Sequence, residues 1–320
     1  MLKRRSLVAA AAFTFCSVAM AQPYPAKPIR LIVPFAAGQG ADAAARIVAQ
    51  KLSENIGQAL VIDNRPGAGG IIGTEAVAKA VPDGYTLLVG SNGTHAANSA
   101  LYARLPYKVQ EDFAPLAYIG SVAMILVSSP SYAAKTSQDV ITAAKAQPGT
   151  LSVALPSSTS RVVLEMLTKA SGATFNPVLY KASSTATTDV MGGHVPLAID
   201  TVIAAAPLIN SGKLRGMAVT SRQRTTILPQ VPSFAESGLP AIDIAAWNAW
   251  FAPRGTPPAV VDKLNAELRK VLGDADVQAK LRALGYEPDG KMSPAQVSDF
   301  VRQEEKKWGD LIRAGGIKAE

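Results

Sequence analysis

Ile29-Arg30-Leu31-Ile32-Val33-Pro34-Phe35-Ala36-Ala37-Gly38-Gln39-Gly40-Ala41-Asp42, followed by an amphipathic run from Ala43 to Ile56, reads as strand, glycine turn and helix. Leu31, Ile32 and Val33 are apolar and mostly β-branched, as a strand covered by helices on both faces requires. Pro34 ends that strand. Gly38 and Gly40 permit backbone angles that a Cβ penalises, so main-chain N–H groups are expected to face outward where the helix begins. Such a turn favours anions, because the first-turn amides lack intrahelical acceptors and the helix dipole is positive there.

The same unit repeats downstream. Gln58 to Asp63 reads as a second strand, and Asn64-Arg65-Pro66-Gly67-Ala68-Gly69-Gly70 turns the chain into a helix from Ile71 to Ala80. Pro82-Asp83-Gly84 is a turn, and Tyr85 to Val89 is a third buried strand ending at Gly90-Ser91-Asn92-Gly93-Thr94. Three such units imply an α/β fold with a mostly parallel sheet. Between Phe113 and Val127 the pattern changes: Ala117–Gly120 and Met124–Val127 read as two strands with no helix between them, the crossing into a second domain. Helices at 137–147, 160–170, 187–192 and 204–211 then alternate with strands at 151–154, 177–180, 197–200 and 216–220. From Pro240 the chain returns through the aromatic strand segment Ile242–Ala252 to helices at 257–272, 275–284 and 294–314, the first with Thr256 expected as N-cap and Pro257 at its first position. Two sheets joined by two crossovers enclose a cleft, and in open α/β sheets ligands sit at the carboxyl ends of the strands.

At 320 residues and 48% hydrophobic the chain supports two ordinary domains with real cores. Lys3, Arg4 and Arg5, the apolar run Leu7–Cys16 and the Ala19-Met20-Ala21 site read as a cleaved secretory leader at residues 1–21, leaving Gln22 at the start of a periplasmic protein. Without that leader 29 basic residues face 24 acidic ones. The surplus is small and scattered, which argues against nucleic acid as a partner. The only cysteine, Cys16, lies in the leader, so disulfides and thiolate metal sites are excluded from the exported chain.

Catalytic chemistry finds no foothold. His95 and His194 are the only histidines and neither has a catalytic spacing; His194 reads as structural, whereas His95 lies near a cleft loop. No Gly-x-Ser-x-Gly elbow occurs. Gly67-Ala68-Gly69-Gly70-Ile71-Ile72-Gly73 misses the dinucleotide fingerprint by one position and reads as a helix-entry turn. Serine and threonine instead concentrate at Ser157-Ser158-Thr159-Ser160 and Ser183-Ser184-Thr185, where helices start and where capping and anion binding use the same donors. Asp200 ends its strand, placed to receive an amino or hydroxyl group or to fix a loop. Trp247 and Trp250 read as packing residues, with Trp247 an option for a pocket wall.

Tyr24-Pro25 to Pro28-Ile29, Pro34-Phe35 to Asp42, Asn64 to Gly70, Pro82-Asp83-Gly84-Tyr85-Thr86-Leu87-Leu88, Tyr180-Lys181, Gly192-Gly193, Asp200, Gly212-Lys213-Leu214-Arg215, Leu228-Pro229 to Val231-Pro232 and Gly255-Thr256-Pro257 together resemble the extracytoplasmic solute receptors of tripartite tricarboxylate transporters, the Bug family. The resemblance covers almost the whole exported chain. It implies a two-domain periplasmic binding protein of type II-like architecture, each domain a mostly parallel sheet flanked by helices, with residues 22–122 and 246–320 in the first domain, 123–245 in the second and the ligand cleft between them. It implies a monomeric receptor, not an enzyme, with no cofactor or metal. Such a receptor closes on a small carboxylate and delivers it to membrane permease subunits. A periplasmic sensor presenting its ligand to a membrane kinase is the alternative.

Carried over by position, the ligand loops comprise Phe35, Ala37, Gly38, Gln39, Gly40 and Asp42; Ser91, Asn92 and Thr94; Ser157, Ser158, Thr159 and Ser160; Lys181, Ser183, Ser184 and Thr185; and Asp200. In that family backbone amides and ordered waters hold the carboxylate, which suits the glycine turn. This chain departs from the family pattern where Gln39 replaces a second Gly, Ala41 a Ser or Thr, and Ala182 and Thr185 a Gly and a Pro. Arg161 stands near a usual His, and Leu155-Pro156-Ser157-Ser158 is shorter than the usual glycine-rich loop.

Overall fold

A computed structural model describes residues 24–317; the expected leader and its cleavage site lie outside the described residues. Strand and helix alternate through β1 (Ile29–Val33), α1 (Gly40–Ile56), β2 (Leu60–Asn64), α2 (Ile71–Ala78) and β3 (Thr86–Ser91). A π-helical turn at Gly93–Ala97 and α3 (Asn98–Leu101) lead to the long β4 (Phe113–Ser128). The second alternating series is α4 (Ser137–Ala146), β5 (Ser152–Leu155), α5 (Ser158–Ser171), β6 (Asn176–Leu179), α6 (Ser183–Met191), β7 (Leu197–Thr201), α7 (Val202–Asn210) and β8 (Arg215–Val219). The chain ends in β9 (Ala245–Pro253), α8 (Pro258–Gly273), α9 (Ala275–Ala283), β10 (Tyr286–Pro288) and α10 (Pro294–Ala314).

Two parallel triplets carry the architecture. β1 runs parallel between β2 and β3, and β5 runs parallel between β6 and β7. Antiparallel strands join the triplets: β9 lies between β3 and β4, while the last residues of β4 pair with β7 and β8. The sheet is therefore mixed. It is parallel where helical crossovers return the chain, as expected, and antiparallel where β4 and β9 carry it between the two halves.

Burial explains the first triplet. Ile29, Leu31, Ile32 and Val33 are all buried, the odd-numbered residues in one apolar cluster and Ile32 in the other, as a strand covered on both faces requires. Ala44, Ala45, Val48, Ala49 and Leu52 form the buried face of α1 at helical spacing. Each fully buried Leu or Val side chain contributes about 1.5–3 kcal/mol.

Two readings are corrected. The strands expected at Ala117–Gly120 and Met124–Val127 are one, β4. The residues between them, Ser121 to Ala123, stay in the ladder, with register shifts just before them where β9 and β10 pair with β4. Gly120 is required there because a Cβ would lie 2.5 Å from the Glu287 carbonyl oxygen. Thr256 does not cap α8: Pro257 is the N-cap and Pro258 takes the first turn. The Thr256 hydroxyl instead donates to the Pro253 carbonyl at 2.8 Å, a tight turn that sequence spacing alone does not reveal.

Candidate functional site

Because each triplet is parallel, the carboxyl ends of its strands share an edge, and the loops leaving β1, β3, β5, β6 and β7 gather there. Contacts bring the loops of the two triplets together. A Cβ on Gly40, at the start of α1, would meet the Ile203 side chain of α7 at 2.8 Å. A Cβ on Gly93 would meet Ser158 Oγ at 3.7 Å, and Asn92 Nδ2 donates to Thr159 Oγ1 at 2.6 Å. Ile203 lies outside the loops expected from the sequence, since nothing in a local pattern marks an apolar helix residue as facing a distant glycine.

The β1–α1 loop is braced from inside. Gly38 adopts φ +82°, but its N–H donates to Asp42 Oδ2 at 2.8 Å, so the outward-facing amide expected there is already used. Asp42, 1% exposed, also receives Arg46 Nε at 2.9 Å and Asn64 Nδ2 at 2.8 Å. Burial opposes its ionisation, yet the bonds from Arg46, Asn64 and Gly38 prevail and hold the carboxyl below its ordinary pKa. The open donors start at Gly40: the Gln39 N–H is taken by the Ala36 carbonyl at 3.2 Å, and Gln39 supplies no side-chain cap to the first-turn amides of α1. Phe35, Gln39 and Gly40 are half-buried beside them, and Ala37 and Gly38 are exposed.

In the β3 loop, Ser91 and Thr94 serve each other. Ser91 N–H donates to Thr94 Oγ1 at 3.0 Å and Thr94 N–H to Ser91 Oγ at 3.3 Å. His95, which the sequence left near the cleft, belongs to the core: it is fully buried, stacked on Phe251 at 4.0 Å and within 2.9 Å of Thr94 Oγ1 through Nδ1. Trp247 and Trp250 are buried too, and the Trp247 indole donates to Glu304 at 2.9 Å.

For the serines of α5 the structure divides capping from display. Ser157 and Ser160 form a reciprocal capping box, with Ser160 N–H to Ser157 Oγ at 3.1 Å and Ser157 N–H to Ser160 Oγ at 3.0 Å. Ser158, half-buried, stands at the first position of the helix, facing the β3 loop. At α6 the N-cap is Ala182, with no side-chain cap; Lys181, Ser184 and Thr185 are exposed, and the Thr185 hydroxyl donates to the Ala182 carbonyl at 2.9 Å.

Asp200 lies beneath these helix starts, 3% exposed. Its Oδ1 accepts from Thr201 N–H at 2.7 Å and Ser183 Oγ at 3.1 Å, while Oδ2 has no partner among the described residues. Burial outweighs these two bonds and pushes the carboxyl up from 3.8 to about 6. A raised folded-state pKa means that stability is fully present below about pH 4 and is lost as pH rises through 6. Asp200→Asn keeps the acceptor for Thr201 and Ser183 but cannot ionise. Relative to wild type it is expected to gain roughly 2–3 kcal/mol between pH 4 and pH 8. Urea denaturation of both proteins at the two pH values measures this, and parallel pH profiles would show that no carboxylate is being buried at a cost.

Among the described residues no group of three or more His, Cys, Asp or Glu side chains is placed to hold a metal, and no helix is long and apolar enough to cross a membrane.

Known proteins share this arrangement. The model of the tripartite tricarboxylate transporter family receptor matches residues 44–317. Protein BugT of Bordetella pertussis is 37% identical over 301 residues, 93% of this chain and 92% of the relative. A solved R. palustris protein with adipate is 35% identical with a TM-score of 0.88, covering 92% of this chain and 99% of that one. MatC from Rhodopseudomonas palustris with bound malate is 30% identical with a TM-score of 0.83, covering 90% and 100%. Periplasmic binding protein BugD is 31% identical with a TM-score of 0.86 over 93% and 100%. With the family model spanning most of its length and relatives matched end to end, this chain belongs to the tripartite tricarboxylate transporter receptor family, a family of solute receptors rather than enzymes.

Proposed function

We propose that this protein binds a small mono- or dicarboxylate between its two halves and delivers it to the membrane permease subunits of a tripartite transporter. The observation that carries the reading is that helix starts lie where the two halves meet: Gly40 at the start of α1 faces Ile203 of α7, Ser158 and Thr159 at the start of α5 face the loop after β3, and Ser183 of α6 bonds Asp200. First-turn amides without intrahelical acceptors are neutral donors matched to a carboxylate, and two such helix starts suit a carboxylate at each end of a short ligand. The adipate and malate of the similar solved proteins are dicarboxylates of this kind.

Within this reading Gly40, Ser158, Ser184 and the amides around them face the ligand. Asp42, Ser91, Thr94, Ser157 and Ser160 hold the loops in shape. The unpartnered Oδ2 of Asp200 accepts from a ligand hydroxyl or ammonium group. Lys181 and Arg161 are the cations of these loops, too few to offset the third carboxylate of a citrate beside Asp200. The two lobes comprise residues 22–122 with 246–320, and 123–245. The protein acts as a monomer in the periplasm, exported through its residue 1–21 leader.

A thermal-shift screen over mono-, di- and tricarboxylates, amino acids and aromatic acids tests this. A ligand at a hundred times its Kd stabilises by about 2.7 kcal/mol, several degrees in Tm. Adipate, malate or a related mono- or dicarboxylate is expected to produce that shift. A screen in which no carboxylate moves Tm, or in which citrate moves it most, refutes the assignment.

A further inference from the structure

We propose that Asn92 and Thr159 form a latch between the two halves that holds the cleft closed before any ligand arrives. Asn92 follows β3 and Thr159 is the second residue of α5, so the two lie in different triplets and 67 residues apart in sequence. Both are buried, at 2% and 7% exposure. The side-chain amide of Asn92 is used at both ends. Nδ2 donates to Thr159 Oγ1 at 2.6 Å, and Oδ1 accepts from Trp247 N–H of β9 at 3.3 Å.

That second bond gives the latch its direction. By fixing the amide against β9 it leaves the NH2 group no choice but to point across the gap, and Thr159 Oγ1 is the acceptor it finds. The Gly40–Ile203 and Gly93–Ser158 contacts are close in the same arrangement, with no room for larger residues at Gly40. Polar atoms that sequence position alone would offer to the ligand are therefore committed to each other.

When the halves separate, water replaces both partners, so the bond contributes as an ordinary neutral hydrogen bond does, shifting the closed-to-open ratio by about two- to tenfold. Ligand affinity scales with the fraction already closed, so the latch sets affinity without touching the ligand. This rests on the receptor reading only in that a carboxylate enters the same cleft.

Spin labels on exposed positions of α1 and α5, at Gln50→Cys and Lys169→Cys with Cys16 replaced by Ser, report the separation of the halves by double electron–electron resonance. In ligand-free protein the distribution is expected to contain a short, closed separation. Thr159→Val and Asn92→Ala should each lower the closed-to-open ratio by about two- to tenfold. Thr159→Ser, which keeps the hydroxyl, should stay near wild type. A ligand-free protein that is entirely open, or distributions unchanged in both Thr159→Val and Asn92→Ala, overturns the latch. Titration with adipate and malate is read separately: failure of both to bind counts against the carboxylate assignment while leaving the ligand-free result intact.

Discussion

Ser158→Asp is expected to abolish carboxylate binding while leaving the fold at least as stable. Ser158 is the first residue of α5, directly after the N-cap Ser157. A carboxylate at that position complements the helix dipole and adds about 0.3–1 kcal/mol to stability. The same charge occupies the place proposed for one end of the ligand. Two like charges about 4 Å apart in a partly screened site repel by about 4 kcal/mol, roughly a thousandfold in Kd. Ser158→Asn, similar in shape but neutral, should retain binding. Lys181 is exposed, so Lys181→Met should weaken binding only about two- to fivefold, in the range of a solvent-screened ion pair. Calorimetry in which Lys181→Met eliminates binding and Ser158→Asp leaves it intact would overturn a site built on amides.

The second large effect concerns acid. His95 is completely buried between Phe251 and Phe113, and that burial lowers its pKa from 6.5 to about 3. Above pH 6.5 the ring is neutral whether the chain is folded or not, and its pairing costs nothing. As pH falls from 6.5 toward 3 the unfolded chain takes up a proton that the folded core refuses, so stability is lost across that window. At pH 4 the loss is roughly 3 kcal/mol. His95→Gln, similar in size and unable to titrate, should be less stable than wild type at neutral pH but should lack this acid-dependent loss. Urea midpoints at pH 7 and pH 4 decide it; equal pH dependence in the two proteins would show that the ring is not held neutral. Asp200 works in the opposite sense, losing stability as pH rises, so the two variants have distinct signatures.

The β1–α1 unit shows why much of the fold was readable. An apolar β-branched run, a proline stop and a 3.6-residue apolar period are local properties, and local sterics and burial turn them directly into a strand, a turn and a helix. The cluster Ser157–Ser160 was legible as a helix entry for the same reason, since the capping box found there acts over three residues. Family membership followed from short motifs spread along the whole chain.

What the residues of those loops do was not readable in that way. Asp42 looked like a ligand group and is a brace, because Asn64, 22 residues on, reaches its carboxylate. His95, which the sequence placed near a cleft loop and left open, is core, because Phe251 of a returning strand stacks on it. Asn92 meets Thr159 and Trp247, partners 67 and 155 residues away. By itself the sequence determined the alternation of strands and helices, the helix entry at Ser157–Ser160 and the family, since each is written within a few neighbouring residues. Only the tertiary structure decided that β4 is one strand, and which polar atoms of the loops are spent on each other and which are left open, because burial and hydrogen-bond partners are set by residues that the fold, not the chain, makes neighbours.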